Sequence, residues 1–178
     1  MVSINHYELK SKPDSKILYV ESHEMSVCPI CNGSLGVIGS RKRSVILSSG
    51  EKRKLMIRRL KCIQCDKIHH ELPDCVVPYK RYVTKAIEEI LTKNSASLNY
   101  ACEEGTVRRL KNWFSTLKDT FEKTLISIKA VHNYDPEICN TINELLPINS
   151  YLSFADGWLK TLVRLLVNSS RWPQTRSA

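Results

Sequence analysis

A chain of 178 residues with 42% hydrophobic side chains can bury a core, so global disorder is excluded, and it has room for one medium domain or two small ones. Its formal net charge of +9 is unevenly placed: residues 28–82 carry 12 basic and 4 acidic side chains, while the segments before and after are near neutral. A local excess of this kind is the electrostatic footprint of a polyanion partner. No apolar run is long enough to span a bilayer, and the N-terminus lacks the basic-then-apolar pattern of a secretory leader. The reading is a protein of a reducing, cytoplasmic compartment with no membrane partner.

Residues 1–27 are mixed and polar apart from Ile17-Leu18-Tyr19-Val20. That run either adds a strand to the cysteine-containing module or stays in an N-terminal arm; the segment is taken as an arm. Next come Cys28-Pro29-Ile30-Cys31 and, after a basic stretch, Cys62-Ile63-Gln64-Cys65. Two CxxC pairs present four sulfurs in two tight turns, which is what a tetrahedral Zn²⁺ centre requires. The alternative, redox dithiols or disulfides, normally shows a single CxxC beside a βαβ pattern, and none is visible. Cys28, Cys31, Cys62 and Cys65 are therefore the expected ligands of one structural Zn²⁺. Cys75, Cys102 and Cys139 are isolated and read as reduced core thiols.

Between the pairs, Arg43–Leu47 reads as a strand, Ser48–Glu51 as a turn and Arg53–Lys61 as the returning strand. Ile68–Leu72 reads as a third. Residues 28–82 thus form a small antiparallel zinc ribbon, whose core would be slight without metal. His69 and His70 are adjacent on a strand and face opposite ways, so both do not serve one centre.

From residue 83 to 168 the pattern is helical, making the fold α+β: a ribbon followed by an all-α region. Val83, Ala86, Ile87, Ile90 and Leu91 form one apolar face, ended by Asn94-Ser95. Ala96–Cys102 is a short segment and Glu103-Glu104-Gly105 a turn. Thr106 is the expected N-cap of a helix with an apolar stripe at Val107, Leu110, Phe114, Leu117 and Phe121. A short helix, a glycine turn and a helix with a basic polar face make a helix-turn-helix plan at about 96–117. Asp135-Pro136-Glu137 is a helix start. Asp156 is expected to cap a last, largely apolar helix through Val167, and 169–178 reads as a tail.

The motifs CPIC (28–31), RRLKCIQC (58–65), HHELPD (69–74) and VPYKRY (77–82) resemble the zinc-binding front end of a group of bacterial insertion-sequence transposases. In those enzymes a zinc ribbon precedes a helix-turn-helix, and both bind transposon ends. The chain is more similar still to short transposon-associated proteins of Gram-positive bacteria carrying a domain of unknown function. Its own ending, VNSSRWPQTRSA (167–178), also resembles theirs. The transposases add a ribonuclease-H-like domain with three metal-binding acids; this chain ends about where that domain would begin. Asp135, Glu137, Glu144 and Asp156 read instead as helix caps and solvated faces.

The resulting expectation is a non-catalytic, zinc-dependent, nucleoid-associated bacterial protein that binds double-stranded DNA and is tied to a mobile element. Arg41, Lys42, Arg43, Lys52, Arg53, Lys54, Arg58 and Arg59 are the candidate phosphate contacts. Arg108, Arg109, Lys111 and Asn112 are the candidates for base edges. The alternative is an interaction adaptor or accessory subunit that meets a transposase or a second copy of itself.

Overall fold

A computed structural model describes residues 1–11, 15–92 and 102–173. The order of elements is β1 (Val2–Ile4), β2 (Tyr7–Ser11), β3 (Ile17–Ser22), β4 (Leu35–Ile46), β5 (Lys52–Cys62), β6 (Ile68–Pro73), α1 (Thr84–Thr92), α2 (Glu104–Val131), α3 (Pro136–Glu144), a 3₁₀ turn (Ile148–Ser153) and α4 (Trp158–Asn168). The α+β class holds, but the sheet is a six-stranded mixed one rather than a small antiparallel ribbon.

The long hairpin β4–β5 is its spine, with Leu35 opposite Cys62 at one end and Ile46 opposite Lys52 at the other. The second edge of β5 is shared. Residues 54–56 pair in parallel with β3, and residues 59–61 pair antiparallel with β6. β2 then adds to β3, and β1 runs parallel along β6. Residues 1–27 are therefore not an arm: they supply three strands. β1 and β3 join the rest of the sheet through parallel partners more than 35 residues away, which leave no local pattern to read, while β2 and β3 are local antiparallel neighbours.

Side-chain alternation divides β5 into two faces. Leu55 and Ile57 point with Val45, Val20, Leu72 and Ile4 toward α1, and Val83, just before that helix, and Ala86 within it close this core. The opposite face carries Lys52, Lys54, Met56, Arg58, Leu60 and Cys62 in turn. The other side of α1, through Ile87, Ile90 and Leu91, joins a second core built on α2 and α4. There Phe114 packs edge-on to Trp158 and Tyr151, and Phe121 stacks near Trp172. Trp172 is buried, so the segment read as a tail from 169 begins by packing on the core.

The helix-turn-helix expectation is covered only in part and meets two differences where it is covered. Residues 94–101, which include the expected end of the first helix, lie outside the described residues. Residues 104–117 are the first half of one 28-residue helix whose stripe continues through Leu125 and Ile128. Thr106 lies inside that helix, Glu103 occupies the cap position, and Gly105 sits in the first turn with open space around its α-carbon. Glycine lowers helix propensity, which makes Glu-Glu-Gly look like a turn in sequence, but the penalty is small at a helix start. Asp135 does cap α3, accepting from the N–H groups of Glu137 and Ile138. Asp156 does not cap α4; Gly157 is at its cap position, with φ 88°.

Candidate metal centre

Both cysteine pairs sit on the same local scaffold. In the first, Cys28 N–H donates to Gly33 O (2.9 Å) and Asn32 N–H to Cys28 O (2.8 Å). In the second, Cys62 N–H donates to Lys67 O (2.9 Å) and Asp66 N–H to Cys62 O (3.2 Å). The residue after each pair turns left-handed, Asn32 at φ 59° and Asp66 at φ 58°. Asn and Asp are the side chains that best tolerate this conformation. The signal CxxC followed by Asn or Asp was present in the sequence and is the part of the motif that shapes the turn.

The second turn is delivered by the end of β5 against the first. A Cβ on Gly33 would lie 1.9 Å from Gln64 Oε1 and 3.1 Å from Cys62 Sγ, so the absence of a side chain lets the two turns close. Cys28 Sγ is 3.6 Å from Cys65 Sγ, Cys31 Sγ is 3.5 Å from Cys62 Sγ, and all four sulfurs lie within 4.8 Å of one another. Zn–S bonds of about 2.3 Å in a tetrahedron put sulfurs about 3.8 Å apart. The four cysteines thus form a cluster able to coordinate one metal ion.

Electrostatics point the same way. The backbone N–H of Cys65 reaches Cys62 Sγ at 3.5 Å and, with the N–H of Gln64, holds that thiol down at about 7. Cys31 has the N–H of Gly33 pulling it down, yet the neighbouring thiols Cys62, Cys65 and Cys28 push it up to about 12. Four sulfurs this close resist sharing several negative charges unless a cation sits among them.

His69 and His70 do face opposite ways. His69 is buried, with Nε2 at 3.4 Å from Cys28 Sγ and Nδ1 at 3.2 Å from the Met1 amine. Burial lowers its pKa, so the neutral ring stands beside the sulfur as a hydrogen-bond partner. His70 lies on the core side, 3.4 Å from Arg41 Nη1.

The expected phosphate contacts separate into two groups. Arg43 turns inward and donates to Val77 O (2.8 Å) and Lys80 O (3.0 Å). Arg58 makes a bidentate pair with the buried Glu71, at 2.6 and 2.7 Å. Arg53 pairs with Glu51 at 2.8 Å. These three are engaged in holding the fold. Lys42, Lys52 and Lys54 are exposed and, among the described residues, make no ion pair. The pairing of Lys42 with Met56, two residues beyond Lys54, puts all three on one sheet face. Arg41 is exposed and Arg59 half-buried, both on the other face.

Of the α2 candidates, Arg108 is exposed. Arg109 borders a cleft beside the sheet, and Lys111 and Asn112 border another between α2 and Tyr151. The sequence reading missed Lys80, Arg81 and the two tyrosines beside them, which line the first of these clefts.

Among the described residues, no helix is long and apolar enough to cross a membrane. No curated protein and no solved structure matches the chain. A family model described as a domain of unknown function (DUF6431) matches residues 28–110, a span that runs from the first metal-site cysteine to the first two turns of α2.

Proposed function

We propose that this chain is a non-catalytic, zinc-dependent protein that binds duplex DNA and is associated with a mobile element. The observation that carries the reading is the face of the β4–β5 hairpin where Lys42, Lys52 and Lys54 stand exposed and unpaired among the described residues. Arg43, Arg53 and Arg58 are engaged by carbonyls or carboxylates, and Arg41 and Arg59 lie on the other face, so these lysines are the charges this face leaves for a polyanion. Zinc would fix the two turns at the end of the hairpin and do no chemistry. Exposed Arg108 and Asn112, one helical turn apart on α2, are the candidates to reach base edges. The resemblance of 28–82 to the front end of insertion-sequence transposases supports the mobile-element part of the proposal.

The test is binding of a duplex oligonucleotide by zinc-loaded protein across a salt series. Each phosphate contact contributes close to one unit of salt slope. Replacing Lys42, Lys52 and Lys54 together by Gln is expected to lower the slope by about two to three and weaken all sequences alike. An unchanged slope overturns the reading.

A second reading, a docking platform for a transposase or a second copy, draws on a different observation. Ile30 and Ile63 project from the tips of the two cysteine turns, and Val27 and Ile68 nearby are also exposed. Exposed apolar side chains grouped together often mark protein contacts. Loss of a complex on Ile30→Ser and Ile63→Ser, with DNA affinity absent in the parent protein, would favour it.

A further inference from the structure

Tyr79, Lys80, Arg81 and Tyr82 border one side of a cleft of about 330 Å³, and Thr106 and Arg109 of α2 border the other. Three of these six side chains are cationic and none of the residues lining the cleft is acidic. Lys80 is only 7% exposed. Its ammonium lies 4.5 Å from the centre of the Trp113 ring, and among the described residues it has no carboxylate partner. What is buried is the stem; the ammonium nitrogen beside the ring is not among the side-chain atoms sealed from solvent without a partner, so the charge keeps a route to solvent.

The turn that carries these residues is held in an uncommon conformation. Tyr79 has φ 64°, a left-handed value that is an outlier for a bulky side chain. The Arg43 guanidinium grips the carbonyls of Val77 and Lys80 on either side of it. Arg81 O accepts from Ile46 N–H at 2.8 Å, tying the far end of the turn to β4. Strain of this kind persists where the surroundings over-determine it, and it gathers at ligand sites. Tyr79 is left more than half exposed at the mouth. Every residue lining the cleft also falls within the 28–110 span that the domain family matches.

We propose that this cleft is a phosphate-binding pocket, in which Lys80, Arg81 and Arg109 hold a phosphate ester and Tyr79 stacks on the attached sugar or base. An anion there supplies the partner that Lys80 lacks. Burial already lowers the Lys80 pKa, and a bound phosphate opposes that shift. The phosphate belongs either to a nucleic-acid backbone or to a free nucleotide; the first rests on the DNA-binding reading above, and the second does not.

The test uses full-length, zinc-loaded protein with two variants. Lys80→Met keeps an apolar chain against Trp113 and removes the charge. Arg109→Gln alters the exposed wall and keeps the test decisive if Lys80→Met does not fold. One arm measures duplex binding over a salt series; the other titrates inorganic phosphate and a mononucleotide by calorimetry. Each variant is expected to weaken duplex binding about tenfold and to lower the salt slope by about one. If the parent protein ignores duplex but binds the mononucleotide, and the variants lose it, the pocket stands and the DNA-binding reading falls. If the variants bind like the parent in both arms, or the parent binds none of the probes, the pocket is overturned.

Discussion

The carboxylate of Glu88 on α1 accepts the backbone N–H of Gly157 at 2.6 Å, across 69 residues of sequence. Its other oxygen accepts from Leu159 N–H at 3.0 Å. Helix α4 therefore starts on a carboxylate borrowed from another helix, which also suits the positive end of its dipole.

Glu88→Ala is expected to leave two N–H groups without acceptors and to cost about 2 kcal/mol or more of stability. Glu88→Gln keeps one acceptor in place and should cost less. Urea unfolding followed by tryptophan emission reads both, since Trp158 begins α4. Metal content should not change, because the cysteine site lies at the far end of the hairpin. Equal stability of all three proteins would show that the cap contributes nothing.

The Arg58–Glu71 pair has a different signature. Glu71 is 1% exposed, whereas Arg58 keeps about a third of its side chain in solvent. Arg58→Ala strands a buried carboxylate and is expected to cost about 2–3 kcal/mol, somewhat below the range for a fully buried pair. Replacing both partners, as Arg58→Met with Glu71→Leu, should recover much of that loss. Thermal unfolding of the four proteins of the cycle gives the coupling; a near-zero value would return Arg58 to the free cations.

The left-handed turns make a prediction about metal affinity. Asp66→Gly should retain zinc, since glycine adopts φ near 58° without strain. Asp66→Val should weaken it about tenfold, the equivalent of the 1–2 kcal/mol penalty for a β-carbon in this conformation. Competition against a chromophoric chelator measures both. Asn32 should behave in the same way, because the two turns are built alike.

Protons released on metal uptake report the thiols. Cys62 is held at about 7 in the metal-free fold, so it is mostly protonated at pH 6 and mostly ionised at pH 8. Cys31, pushed up to about 12, is protonated at both. Proton release per zinc, read in weakly buffered solution with an indicator, should fall by about one between pH 6 and pH 8 while staying above zero. The depressed Cys62 value also sets a sign for the metal-free fold. Its stabilising contribution is complete above the unfolded thiol value near 9 and disappears as pH falls through about 7. A release that does not vary with pH contradicts this.

What could be read in advance depended on range. The cysteine quartet was legible because each half is encoded within four residues. Asp135 was legible as a cap because its partners are two and three residues away. The true cap of α4 was not, because Glu88 comes from another helix and Asp156 looked adequate locally. β4 begins at Leu35 rather than Arg43; Gly36, Gly39 and the bulge after Val37 interrupt its alternation. β1 was hidden because its partner is a remote parallel strand, and residues 17–20 stood open between strand and arm because their place on β5 is set by residues equally remote. The basic hairpin was visible as charge, but composition does not say which arginines face a carboxylate and which lysines face water.

The threefold pairing of β5 has a consequence for alternative states of the sheet. A slip of one residue along β4 would turn Leu55 and Ile57 out to solvent, bring the lysines inward and swing Cys62 away from Cys28. The metal centre and the apolar core therefore select the same alignment from opposite faces of one strand. Beyond closing two turns, a bound ion would act as a pin that removes mis-registered hairpins from the ensemble, at the end of the hairpin where the exposed Val37 and Ile38 would otherwise give little preference.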